Sequence, residues 1–122
     1  MERVTGIGGL FFRANDPALL SRWYTDHLGI SPVPTDYSQM PWSQQAGPTV
    51  FAPFPADTDY FDRAKSWMLN LRVCTLDAIV EQLRAAGVEV LVDPQTYPNG
   101  RFARLHDPEG NAIELWEPAN RE

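Results

Sequence analysis

Cysteine, histidine and basic charge are all scarce in this chain of 122 residues, which has one cysteine, two histidines and only 10 Lys and Arg against 16 Asp and Glu. A lone Cys74 cannot close an intrachain disulfide, which agrees with a reducing compartment, so a cytoplasmic protein is expected. The formal charge is −6 and the basic residues are scattered. Nucleic-acid phosphates demand a basic face, so no nucleic-acid partner is expected. No stretch approaches the roughly 20 apolar residues of a membrane span, and no apolar run follows a basic N-terminal segment. A membrane partner is therefore not expected either. What remains is an ordinary soluble composition, sized for about one domain with its own core.

The most informative stretch lies near the C-terminus: Leu105-His106-Asp107-Pro108-Glu109-Gly110-Asn111-Ala112-Ile113-Glu114-Leu115-Trp116. Pro108 fixes φ, Gly110 supplies φ > 0, and Asp107 and Asn111 can bond their own backbone, so a hairpin connection is predicted. Beyond it, Ile113 and Leu115 alternate with Glu114 and Trp116. One face of that strand is apolar, while the other carries a carboxylate beside an indole.

From the N-terminus, residues 5–13 read as a strand with Leu10 and Phe12 on one face and Ile7, Gly9 and Phe11 on the other, weakened by its glycines. Asp16-Pro17 opens a helix as N-cap and first-turn proline. Leu19, Leu20, Trp23, Tyr24, His27 and Leu28 follow at helical spacing, and Gly29 ends it. Short strands are expected at 38–42 and 49–52, followed by a polar linker. The pattern then restarts. A strand over 67–73 puts Leu69, Leu71 and Val73 on one side and Met68, Asn70 and Arg72 on the other. A helix over 75–86 turns Leu76, Ile79, Val80 and Leu83 inward and stops at Gly87, and strands follow at 88–92, 101–105 and 111–117. Strand, helix and three strands thus occur twice. Leu10–Asp16 lies over Leu71–Asp77 with a shift of 61, and Gly47–Pro55 lies over Gly110–Pro118 with a shift of 63. Identity between the halves is thin, so the repeat rests on matching element order.

Leu10-Phe11-Phe12-Arg13-Ala14-Asn15-Asp16, the helix ending His27-Leu28-Gly29, Leu71-Arg72-Val73 leading to Leu76-Asp77-Ala78, and the closing Asp107 to Leu115 motif resemble the glyoxalase/bleomycin-resistance/dioxygenase superfamily, also called vicinal oxygen chelate proteins. The resemblance covers essentially the whole chain. It implies an α+β fold, in which two βαβββ modules form a U-shaped mixed sheet around a cleft with the helices on the outer face. The single domain would span 1–122, with module one at about 4–55, a linker at about 56–66 and module two at about 67–119. In the family's metalloenzymes, the first and last strands of each module present His, Glu or Gln to one divalent metal, which chelates two neighbouring substrate oxygens. Those positions fall here on Ile7, Phe51, Met68 and Glu114. One carboxylate cannot supply the three or four protein ligands of such a site, so neither a metal nor another cofactor is expected. A one-residue shift of the first strand would substitute Gly6 or Gly8, which offer no side-chain ligand.

Glu114 is then either a functional carboxylate, as general base or as anchor for a ligand's cation or hydroxyl, or a structural acid paired with Arg72, Arg101 or Arg104. Asn70 and Arg72 share the parity of Met68 and would face the cleft, where Arg72 either clamps an anionic ligand or neutralises Glu114. Phe11, Phe51 and Trp116 fall on cleft parity and would form an aromatic wall, whereas Trp67 belongs to the core. His27 reads as a dipole-favoured cap, and His106 precedes the turn. Cys74 has no nearby histidine in sequence. Asp57-Thr58-Asp59-Tyr60-Phe61-Asp62 lacks the glycine and closing glutamate of a calcium loop and reads as a solvated linker with Tyr60 and Phe61 tucked inward.

The expected function is binding of a small aromatic or amphipathic molecule in a metal-free cleft. Phe11, Phe51, Met68, Asn70, Arg72 and Trp116 would line it, with Glu114 as the catalytic candidate. The alternative is a lyase, isomerase or dioxygenase-type enzyme using Glu114 as base or an atypical metal site; a third reading is a scaffold with a vestigial cleft. The resemblance also implies a homodimer with modules from one or two chains closing each cleft, although the residues themselves do not decide between monomer and dimer.

Overall fold

A computed structural model of the protein describes residues 1–119. Helix α1 spans Pro17–Leu28, started and stopped by the predicted residues: Asp16 Oδ1 accepts from the Leu19 N–H at 3.1 Å, Pro17 sits in the first turn, and Gly29 closes the helix with φ 73°. Strand β1 (Leu69–Arg72), helix α2 (Leu76–Ala85), and strands β2 (Leu91–Val92), β3 (Gly100–His106) and β4 (Ala112–Pro118) follow. They form one mixed sheet in the order β1-β4-β3-β2, with β1 parallel to β4 and the other neighbours antiparallel. The class is α+β, as expected, with four strands and two helices among the described residues. No helix among the described residues is long and apolar enough to cross a membrane.

The period-2 alternation sorts the sheet into two faces. Ile113 and Leu115 of β4 are 0% exposed and pack with Ala103 and Leu105 of β3 beneath Leu76, Val80 and Leu83 of α2 and Leu20 and Tyr24 of α1. Each Val, Leu or Ile side chain among them contributes about 1.5–3 kcal/mol by leaving water. Both helices therefore occupy one face. The opposite face, free of helices, carries Asn70, Arg72, Phe102, Arg104, Glu114 and Trp116 by strand parity.

The β3–β4 hairpin also fastens α1. Buried Asp107 accepts from the Glu109 N–H (2.9 Å) and the Asn111 N–H (3.0 Å) with Oδ1, and from Asn111 Nδ2 (2.7 Å) and the Tyr24 hydroxyl (2.6 Å) with Oδ2. Glu109 reaches back to accept from the Asn15 and Asp16 N–H groups at 2.6 and 3.0 Å. The Asp-Pro-Glu-Gly-Asn segment is thus both the predicted turn and the clasp between the two halves of the chain.

The first half departs from the expected pattern. Residues 5–13, 38–42 and 49–52 form no strand, and all four strands come from the second half. A lone extended segment leaves its backbone N–H and C=O groups unpaired and has no second layer to bury its apolar face, so a strand-like pattern forms a strand only where a neighbour exists. Glycines in 5–13 and prolines in the segment after α1 weaken these segments further. Of the predicted face of this segment, Leu10 is 50% exposed, while Phe12 lies edge-on to Tyr24 and Trp67, with ring centroids 6.4 and 5.3 Å away.

Candidate functional site

Two cross-strand rows build the helix-free face. In the first, Asn70 of β1, Glu114 of β4 and Arg104 of β3 lie side by side; in the second, Arg72, Trp116 and Phe102 do. Glu114 is only 6% exposed. Its Oε1 accepts from Asn70 Nδ2 at 2.7 Å, and its Oε2 accepts from the Tyr60 hydroxyl at 2.6 Å. Tyr60 is held in turn from β3: Arg104 Nη2 donates to its carbonyl at 2.6 Å, and the guanidinium carbon lies 4.5 Å from the phenol ring centroid. Burial, then the hydrogen bond to Glu114 and that carboxylate's charge, push the Tyr60 phenol above its ordinary value, with Arg104 opposing. The hydroxyl is therefore a firm donor at neutral pH.

In the second row Trp116 and Phe102 stack, with ring planes 3° apart and centroids at 6.4 Å, and Tyr97 meets Phe102 edge-on at 5.9 Å. The Trp116 indole N–H donates to the Asn99 carbonyl at 2.8 Å, which fixes the ring's orientation. Arg72 Nη2 donates to the Gln45 carbonyl at 3.0 Å, and its guanidinium packs against Gly47, where a Cβ would make it move. A groove of about 1320 Å³ runs around the β1 edge between residues 42–50, the end of α1 and Ala78, Ile79 and Gln82 of α2, with Asn70, Arg72 and Trp116 on its wall. Neither Glu114 nor Tyr60 lines that groove.

The predicted residues divide accordingly. Glu114, Asn70, Arg72 and Trp116 share one face, with Met68 half-buried just before β1. Phe11 and Phe51, expected in the aromatic wall, are 95% and 86% exposed, so neither forms that wall in the single chain. Phe102 of β3 stands beside Trp116 instead. Of the two readings of Glu114, the one that pairs it with Arg72, Arg101 or Arg104 does not hold. Arg101 pairs with Asp77 at 3.1 Å, Arg72 holds Gln45, Arg104 holds Tyr60, and the partners of Glu114 are a neutral amide and a neutral phenol. Tyr60 turns inward from the linker, and no local signal ties it to Glu114, because the contact spans 54 residues. His106 is exposed at the end of β3, Cys74 is exposed after β1, and His27 lies against Trp23 with centroids at 5.3 Å.

A divalent ion does not fit this donor set. Ile7, at the first ligand position the resemblance implies, is 55% exposed and, like Phe51 and Met68, brings no oxygen or nitrogen donor, while both oxygens of Glu114 already accept hydrogen bonds. Among the described residues, no three His, Cys, Asp or Glu side chains form a group that could hold a metal ion.

Comparison with known proteins matches residues 9–116 to the family model of the glyoxalase-like domain. Among solved structures, TnmS3, an antibiotic binding protein from Streptomyces sp. CB03234, is 25% identical, with a TM-score of 0.63 over 98% of this chain and 100% of that one. A structure from the mobile metagenome of V. Pseudocholerae shares the fold at 16% identity, with a TM-score of 0.59 over 98% of this chain and 99% of that one. A glyoxalase/bleomycin resistance protein from Streptomyces sp. CB03234 is 41% identical over 40% of this chain, a match that spans 42% of that protein, with a TM-score of 0.37. No curated protein matches the chain.

Proposed function

The chain belongs to the glyoxalase-like domain family, and from that premise we propose that it binds a small aromatic or amphipathic molecule, without a metal, on the helix-free face of its sheet. The observation that carries the reading is a buried carboxylate held by two neutral donors beside a stacked Phe102–Trp116 pair, at the margin of an open groove. Ligand sites combine this kind of apolar wall with a few fixed polar groups. Similarity over nearly the full chain to a protein described as antibiotic binding supports the same reading. Trp116 and Phe102 would supply the wall, Asn70 and Arg72 the polar rim, and Glu114 the acceptor. The strand-patterned aromatics Phe11 and Phe51, left exposed in one chain, would join from a second copy in a homodimer. The exposed thiol of Cys74 suits a reducing compartment, and we place the protein in the cytoplasm.

Fluorescence titration tests this reading. Saturable quenching of tryptophan emission by members of an aromatic panel is expected, with most of the quench lost in Trp116→Phe, which keeps a ring against Phe102. Absence of saturable quenching by any member overturns it. Conversion of a bound molecule to a new product, abolished in Glu114→Gln, would make the protein an enzyme with Glu114 as base.

A further inference from the structure

The groove around the β1 edge holds an arginine without a counter-charge. Arg72 lies opposite Trp116 in the parallel register of β1 and β4, and both side chains line the groove. Among the described residues the contact of Arg101 with Asp77 is the one ion pair, so Arg101, the other arginine of the groove, is neutralised and Arg72 is not. The carboxylates of the same groove leave it alone: Glu117 accepts from the Leu76 N–H at 2.8 Å at the start of α2, and Asp26 pairs with no cation among the described residues. Arg72 is half-buried, and its guanidinium is held in place by the Gln45 carbonyl and by packing against Gly47. Of its nitrogens, only Nη2 has a hydrogen-bond partner among the described residues. From this placement we infer that the ligand of the groove is a planar aromatic carboxylate, with its rings against Trp116 and its carboxylate on Arg72.

Desolvation selects this class. Arg72 and Trp116 stand one strand spacing apart, about 4.8 Å between neighbouring chains, so a ring laid against the indole also strips water from the guanidinium. A neutral ring leaves that charge unsatisfied, and an ammonium sets a like charge beside it. A carboxylate instead gives a charge-assisted hydrogen bond to a nitrogen that Gln45 does not use. A phosphate monoester, at a charge of roughly −1.5 to −2 near neutral pH, calls for a second cation, and Arg101 is already engaged by Asp77. Because the guanidinium is already held by Gln45, less side-chain freedom is lost when the ligand arrives. Room is not limiting: the groove of about 1320 Å³ exceeds the roughly 300–1,000 Å³ of sites that enclose drug-sized molecules.

This inference rests on the binding role proposed above, and a charge series separates their failures. Isothermal titration of the full chain at neutral pH would compare 2-naphthoate, 2-naphthamide, 2-naphthylmethylammonium and 2-naphthyl phosphate, which share their rings and differ in charge. The unmodified protein should bind the naphthoate about tenfold more tightly than the amide, the phosphate no more tightly than the naphthoate, and the ammonium most weakly. In Arg72→Gln the ratio of naphthoate to amide affinity should fall to about one. A residue that only held residues 42–50 in place would lower every probe together and leave that ratio as it was. Arg72→Lys keeps the charge, so the order of the series should survive there, and this variant decides the matter if Arg72→Gln does not fold. Equal binding of naphthoate and amide by the unmodified protein, a preference that survives Arg72→Gln, loss of the order in Arg72→Lys, or tightest binding of the phosphate overturns the carboxylate inference while aromatic binding stands. Should no member of the series bind, both fall together.

Discussion

Three buried polar residues, Asp107, Asn111 and Glu114, are each fully engaged, and the pair most exposed to pH is Tyr24 with Asp107. Burial first, then the hydrogen bond to Asp107 and that group's charge, push the Tyr24 phenol far above its ordinary value. A folded-state pKa raised in this way stabilises the protein fully below the ordinary tyrosine value of about 10, and the contribution is lost as pH climbs through the raised value. Tyr24→Phe removes the donor and leaves Asp107 with its three other hydrogen bonds, at an expected cost of about 1–3 kcal/mol at neutral pH. Urea denaturation series at neutral and alkaline pH should find the unmodified protein losing more stability than the variant as pH rises above the tyrosine range.

At the scale of elements, the β3–β4 hairpin contains two glycines with positive φ that carry different loads. Gly110 has φ 79° and open space around the position a Cβ would take, so Gly110→Ala should cost only the backbone strain, about 1 kcal/mol. Gly100 has φ 133°, and a Cβ there would run into the Glu117 carbonyl and the Trp116 indole nitrogen. Gly100→Ala should therefore cost about 3 kcal/mol and disturb the Trp116–Phe102 stack. Thermal unfolding compared with near-ultraviolet circular dichroism would reveal both effects, and equal costs at the two glycines would contradict this account. Only one of these glycines was legible in sequence. Gly110 sits inside an Asp-Pro-Glu-Gly-Asn turn whose chemistry is local, whereas the demand on Gly100 comes from a neighbouring strand. The caps of α1 and the inward stripe of α2 were legible for the same local reason.

Across the whole molecule, the apolar side chains of the first half are poorly covered. Ile7, Leu10, Phe11, Val50 and Phe51 are 50–95% exposed, all on segments patterned as strands, and β1 lies at one edge of the only sheet among the described residues. Exposed apolar surface of this extent and an edge strand are both features that associating chains cover. A second copy presents the same segments and the same edge, so a symmetric pair would serve both at once. Light scattering on the eluting protein should therefore give the mass of two chains. Phe51→Asp, at a position 86% exposed in the single chain, should shift it to one chain while leaving the helix signal in circular dichroism intact. A one-chain mass for the unmodified protein would reject the homodimer.

The sequence by itself determined what depends on near neighbours: both helices with their ends, the hairpin turn, and the parity that sends Ile113 and Leu115 into the core and Glu114 and Trp116 to the other face. Only the tertiary structure decided which strand-like segments pair and what meets Glu114. Pairing requires a partner whose distance along the chain leaves no trace in local pattern, as the unformed strands at 5–13 and 49–52 make plain. The same physics explains Tyr60, a linker residue whose sequence context points inward but to no partner. It donates to the buried carboxylate because the folded sheet brings Arg104 and Glu114 to the place where that linker crosses.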